Sequence, residues 1–292
     1  MQNALTIDVE DWYMTNGLDI DPARWHEYEE RVVPNTLELL ELFDGYGVKG
    51  TFFILGCVAE RYPSLVEEIV RKGHEIGSHG GWHRLLTTLT LDQFQEDLRY
   101  SKQVLEGISG NRVRLYRAPS WSVVPARYGV LRILKEEGFV CDSSMQPFRT
   151  PLSGVSGTPH EPFEPVLEGE AVGLVEFPPT VVKVAGITMA FSGGFYLRAV
   201  PYPIVRWALK RINRTRSGMI YVHPWEIDPA QPRVQSSAFV QLIQYYGLNG
   251  TKRKLERLFK EFTFAPLGTL LHDGPYPRRT LLAVPYSGEV GK

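Results

Sequence analysis

The chain has 292 residues, 43% of them hydrophobic and 22% charged, which is enough apolar content for the core of one large domain. A formal net charge of −1 excludes global attraction to nucleic acid or an anionic membrane, so a charged partner must be met by a local patch. Cys57 and Cys141 form neither a CxxC pair nor a disulfide framework, which favours buried structural thiols in a reducing compartment.

Met1 leads almost directly into a strand over residues 4–9, with no room for a basic region, an apolar signal core and a cleavage site. No apolar run reaches membrane-spanning length. The expectation is a cytoplasmic protein. Asn35, followed three residues later by Glu38, reads as a capping box opening a helix that carries Leu39, Leu40 and Phe43 and ends at Gly45 and Gly47. A strand over 51–55 precedes a helix opened by Pro63 and closed by Gly73. Then come a strand over 74–78, a helix over 91–107, a strand over 113–116, a helix over 128–138 and a strand over 139–141.

Residues 144–174, rich in Pro, Gly and Ser, read as a long loop over a site. Strands follow at 173–177 and 219–222, with helices over 205–216, 237–246 and 251–262; the tail from Asp273 is left unassigned. The helix over 205–216 carries Arg206, Lys210, Arg211, Arg214 and Arg216, which could meet an anionic lipid or carrier, or form a solvated face. The alternation predicts an α/β fold with mostly parallel strands, barrel or open sheet, and an active face at the strand C-termini.

The chemistry-bearing segments fall at those ends: Asp8-Val9-Glu10-Asp11, His79 to His83, Arg117-Ala118-Pro119, Asp142-Ser143-Ser144 and His223-Pro224-Trp225. His79 and His83, four apart, face one side of a helical turn and could share a metal ion, with a carboxylate as third ligand. Strand alternation puts Asp8 and Glu10 on one face, where one carboxylate could bind metal and the other accept a proton from water.

The ordered set Leu5 to Tyr13, Thr51-Phe52-Phe53, Gly77-Ser78-His79 to His83, Tyr116-Arg117-Ala118-Pro119, Asp142-Ser143-Ser144 and His223 to Pro229 resembles the polysaccharide deacetylase family. These are the NodB-type carbohydrate esterases of family 4. The likeness is to the branch with a C-terminal extension associated with exopolysaccharide biosynthesis. It implies a distorted (β/α) barrel of about seven strands, with a catalytic domain over 1–230 and a helical extension over 231–292 packed on the barrel. It also implies a divalent metal, most often zinc, held by His79 and His83. Asp8 matches the general base, His223 the general acid, Arg117 the arginine that orients the base, and Asp142 a carboxylate that holds an arginine.

The implied reaction is hydrolysis of an N-acetyl group on an amino-sugar polysaccharide or its lipid-linked precursor, the precursor being favoured by a cytoplasmic place at the inner membrane face. Association with exopolysaccharide machinery is implied as well.

Two positions depart from the commoner family pattern. Val9 stands where a second aspartate binds metal, so Glu10 or Asp11 must supply the carboxylate, Glu10 being favoured by the face it shares with Asp8. Ser120 and Trp121 follow the Arg-x-Pro triplet where an aromatic is frequent. Trp82, Pro119, Trp121 and Trp225 are expected at the substrate cleft, where an indole can stack on a sugar or pack in the core. Two other readings stand beside this one: an amidohydrolase for a small non-sugar amide, and a catalytically silent carbohydrate-binding protein.

Overall fold

The computed structural model describes residues 1–283. Its centre is a parallel sheet that begins with β1 (Gln2–Val9), β2 (Thr51–Ile54), β3 (Glu75–Ser78), β4 (Leu115–Tyr116) and β5 (Cys141–Asp142). In space, Met219–Val222 flanks β1 on one side, and β2, β3, β4, β5 and Val175–Glu176 follow on the other. The register sets Thr6 beside Thr51, Phe53 beside Gly77, Ser78 beside Tyr116 and Asp142 beside Glu176. An eighth strand, Thr263–Ala265, pairs with the start of β1. Among the described residues no ladder joins Val175–Glu176 to Met219–Val222. The gap is crossed by a hydrogen bond from the Met219 amide to Thr180 Oγ1 at 2.7 Å and by a bridge between Gly193 and Tyr221. The result is an incompletely closed, seven-strand parallel barrel, as expected.

Strand alternation divides the two cores. Leu5, Ile7 and Val9 of β1 join the large cluster with Phe52, Ile54, Leu39 and Phe43, whereas Ala4 packs with Phe53, Leu115, Trp121, Met219 and Tyr221. Thr6 and Asp8, in phase with Ala4, both bond to Arg117. The segment after residue 230 is tied closely to this barrel: Leu255, Leu258 and Phe259 of the helix Leu248–Glu261 belong to the large core. Residues 284–292 of the expected extension lie outside the described residues.

Several expected boundaries move for physical reasons. The first helix spans Val32–Gly45, so Asn35 is inside it and its amide reaches Asp228 Oδ2 at 3.4 Å. The cap comes from far away: Asp11 Oδ2 accepts the Arg31 and Val32 amides at 2.8 and 3.0 Å, displacing the local capping box. Gly250 lies within Leu248–Glu261 instead of preceding it, and a short helix, Gly56–Arg61, was not foreseen. Part of 144–174 is strand: Glu164–Leu167 pairs with Glu170–Ala171 and with Arg278–Thr280 of the tail, and Phe163 bridges to Glu176 at the barrel edge.

Gly77 shows how tightly the interior is filled. A Cβ there would lie 2.7 Å from a ring carbon of Phe53 and 2.9 Å from the Leu115 carbonyl oxygen. The Phe53 ring in turn carries the Arg117 guanidinium, whose carbon is 4.3 Å from the ring centroid. Gly77→Ala is therefore expected to destabilise the protein by about 1–3 kcal/mol, measured by urea unfolding.

Candidate active site

Three ligand-type atoms converge beyond the ends of β1 and β3. Those of Glu10, His79 and His83 lie within 4.8 Å of one another, and all three residues are buried. Glu10 Oε2 is 2.5 Å from His83 Nε2 and 4.0 Å from His79 Nε2. The other oxygen, Oε1, accepts the Trp225 indole N–H at 3.1 Å, which orients the carboxylate.

The two histidines converge differently from the expectation. They are not on a helical turn. His79 follows β3 directly, Gly80 turns the chain at φ 79°, and His83 itself takes a left-handed φ of 53°. The Gly81 amide donates to Asp97 Oδ2 at 2.6 Å and anchors this turn to the helix Leu91–Ser109.

The donor set suits a divalent metal. His79 Nδ1–H donates to the Arg117 carbonyl at 2.8 Å, which leaves the Nε2 lone pair facing Glu10. Burial holds the His79 pKa down at about 4, with His83 adding to the effect against nearby carboxylates, so the ring stays neutral. Glu10 Oε2 is buried with no hydrogen bond of proper geometry. Burial raises the Glu10 pKa, but His83, His223 and His79 outweigh it and hold the carboxyl at about 2. Two imidazoles and one carboxylate form the three-ligand pattern of open zinc sites.

Asp11 cannot complete the set without giving up its caps. Its Oδ1 accepts the Trp12 amide at 2.8 Å, and its Oδ2 accepts the Arg31 and Val32 amides.

Beside the ligand set, Asp8 is held by Arg117, whose Nη1 donates to Asp8 Oδ1 at 2.6 Å and to Thr6 Oγ1 at 2.9 Å. The free Asp8 Oδ2 is 3.8 Å from His223 Nε2, and Glu10 Oε1 is equally far from it. His223 Nδ1 is 3.0 Å from Glu226 Oε2, which also accepts the His223 amide at 3.0 Å. Burial disfavours charge on His223, but Glu226, assisted by Glu10 and Asp8, raises its pKa to about 9. Glu226 in turn accepts from Arg198 Nε at 2.7 Å. Arg198 also donates to the carbonyls of Ile243, at 2.6 Å, Gln244, at 3.1 Å, and Tyr246, around the end of the helix Ala238–Tyr245.

Glu226 and Arg198 were missed as site residues. The spacing of His223 and Glu226, with Pro224 at the first helical position, is a capping-box spacing and was the available signal. Arg198 offers no local signal.

Asp142 does not hold the arginine. The place behind Arg117 is taken by Ser143, whose carbonyl and hydroxyl accept from Nε at 3.3 Å and Nη2 at 3.1 Å. Asp142 is paired across the sheet with Glu176 and bonds the Ser144 hydroxyl, one residue out of phase with Ser143. Trp121 and Trp225 are also corrected as sugar platforms. Both are buried, Trp121 stacked over Arg117 at 4.4 Å and Trp225 against His223 at 5.1 Å. Pro119 is buried too, while Trp82 keeps an exposed face and stacks on Tyr100.

Comparison with known proteins places these residues in two regions. Residues 24–138 match the family model described as polysaccharide deacetylase, and residues 143–272 match a domain of unknown function, DUF3473. Over residues 24–138 the chain is similar to the polysaccharide deacetylases. His79, His83 and Arg117 lie in the deacetylase match, His223 and Glu226 lie in the second match, and Asp8 and Glu10 precede both.

The chain is 35% identical over 92 residues to the peptidoglycan-N-acetylmuramic acid deacetylase PdaA of Bacillus subtilis, covering 32% of this chain and 34% of that protein. It is 31% identical over 84 residues to a peptidoglycan-N-acetylglucosamine deacetylase of Bacillus cereus, covering 29% of this chain and 30% of that protein. The chain thus spans about a third of the length of these curated relatives. A candidate polysaccharide deacetylase from Mycobacterium smegmatis shares the fold, with a TM-score of 0.61 and 20% identity over 95% of this chain and 92% of that one. The fold is therefore a barrel of known type.

Two predictions follow from the buried charges. Glu176 Oε1 accepts the Ser144 and Met145 amides, whereas Glu176 Oε2 and Asp142 Oδ2 are buried without a donor, which one shared proton supplies. Burial, with Asp142 alongside, pushes Glu176 well above the usual carboxylate range, and burial raises Asp142 to about 6. The folded state keeps a proton that the unfolded chain releases near its ordinary carboxylate pKa, so this pair makes stability fall as pH rises above that value. Glu176→Gln should remove that loss, seen as a melting temperature that gains on wild type from pH 5 to pH 8. Arg198 and Glu226 have side chains only 1% exposed, so Arg198→Met breaks a buried pair, leaves Glu226 with His223 alone and strips three helix-end carbonyls of their donor, and should cost about 3–5 kcal/mol in denaturant unfolding.

Proposed function

We propose that the protein is a metal-dependent hydrolase that removes N-acetyl groups from an amino-sugar glycan, either a polysaccharide or its lipid-linked precursor. The observation that carries this reading is the convergence of the Glu10, His79 and His83 ligand atoms beside Asp8 and His223. The peptidoglycan deacetylases to which the chain is similar support the substrate class.

A zinc ion held by Glu10, His79 and His83 would polarise water and the amide carbonyl. The residues around it divide the proton handling. Asp8, fixed through Oδ1 by Arg117, presents Oδ2 as the base that takes the proton of the attacking water. His223, kept protonated by Glu226, gives a proton to the departing sugar amine. Removal of the acetyl group as acetate balances the reaction: water supplies one hydroxyl to the acyl carbon and one proton to the amine. A cytoplasmic place at the inner membrane face, with exopolysaccharide assembly as the consuming process, belongs to the same proposal.

The test is acetate release from N-acetylglucosamine oligomers together with measurement of bound metal. Asp8→Asn is expected to keep its metal and lose about 10²–10⁴-fold in rate. His79→Ala is expected to lose both metal and activity. A wild-type protein that binds no metal would overturn the mechanism, and full activity in Asp8→Asn would overturn the base assignment; metal binding without acetate release would point to another amide.

A further inference from the structure

A local excess of positive charge lies away from the ligand set. His160, Lys183, Arg211, Arg214 and Arg216 line a pocket of about 440 Å³ between the strand Val181–Val184 and the end of the helix Tyr202–Ile212. Among the described residues, no carboxylate lies within ion-pair distance of Lys183, Lys210, Arg211, Arg214 or Arg216. The nearby acids are engaged elsewhere, Glu161 with Arg279 at 3.1 Å and Glu261 with Arg206. In a chain of net charge −1, this concentration is local.

Exposed apolar groups border the same pocket. Val181–Val184 and Ile187–Ala190 form a hairpin that turns through Ala185 and Gly186, both at left-handed φ. Its last paired residues, Val184 and Ile187, are 42% and 73% exposed. On the neighbouring helix, Ile204 and Trp207 are 40% and 43% exposed and share one face with Arg211, whose guanidinium lies 5.8 Å from the centroid of the Trp207 ring. Cations beside an indole and an apolar hairpin tip combine the two attractions that hold a protein at a lipid interface.

We infer that this face docks the protein on an anionic lipid bilayer, with a lipid phosphate in the basic pocket and Val184, Ile187 and Trp207 at the headgroup level. Free phosphate shares the charge chemistry but has no use for the apolar tip, so the bilayer is the source that both observations fit. No helix among the described residues is long and apolar enough to cross a membrane, so the contact would be peripheral. The pocket is lined by residues just before the strand Met219–Val222, whereas His223 follows its other end, so docking leaves the Asp8–His223 end of the barrel away from lipid.

The full chain would be sedimented with phosphatidylglycerol-containing vesicles and with pure phosphatidylcholine vesicles, at low and raised salt. Wild type should bind the anionic vesicles alone, and salt should release it. Arg211→Glu with Arg214→Glu should weaken vesicle binding at least about tenfold. Ile187→Ser should weaken it without any change of charge. Thermal unfolding of each variant serves as the folding control. The proposal is overturned by equal binding to both vesicle types, by wild-type binding in the charge-reversal variant, or by displacement with millimolar inorganic phosphate. Retention on heparin without vesicle binding would also overturn it, in favour of a soluble polyanion.

Discussion

The site depends on the burial of one cation. Arg117 is fully buried, and removing a guanidinium from water costs several kcal/mol unless it is paired and hydrogen bonded. The barrel interior supplies that compensation from four directions: Asp8 and Thr6 on β1, Ser143 after β5, the Met219 sulfur, and the Phe53 and Trp121 rings. The same residue offers its backbone carbonyl to His79. One buried arginine therefore orients both a candidate base and a candidate ligand, and its requirement for partners fixes their relative placement.

A second buried pair connects the C-terminal segment to this chemistry. Arg198 gathers the carbonyls at the end of Ala238–Tyr245, where the helix carries partial negative charge, and its remaining donor meets Glu226, the partner of His223. Residues within the match to a domain of unknown function thus complete a site begun in the deacetylase match. The strand Thr263–Ala265 and the core residues of Leu248–Glu261 tie that segment to β1, so these regions are packed as parts of one barrel.

Much of this was legible in the chain. Short apolar runs before Asp8 and His223, and short strand-like segments before His79 and Arg117, marked strand ends, because a parallel strand buried on both faces is mostly apolar until it leaves the sheet. The same alternation put Asp8 and Glu10 on one side. What misled was local pattern met by distant competition. Asn35 and Glu38 have a capping-box spacing, yet Asp11 caps the helix from across the chain. His79 and His83 have helical ligand spacing, yet converge through a left-handed turn that Gly80 permits. Asp142 and Ser143 are adjacent, and only the register of β5 decides which of them faces Arg117.

By itself the sequence determined the order and type of most barrel strands and their main helices and the inventory of chemical groups at the strand ends, because hydrophobic period and turn residues act over a few positions. Only the tertiary structure decided which groups are partners. It turned Asp11 into a cap, Ser143 into the support of Arg117, Trp121 and Trp225 into buried packing, and Glu226 with Arg198 into the support of His223. Those roles rest on contacts between residues far apart in sequence, where burial makes every polar atom find a partner and no local pattern names which one it will be.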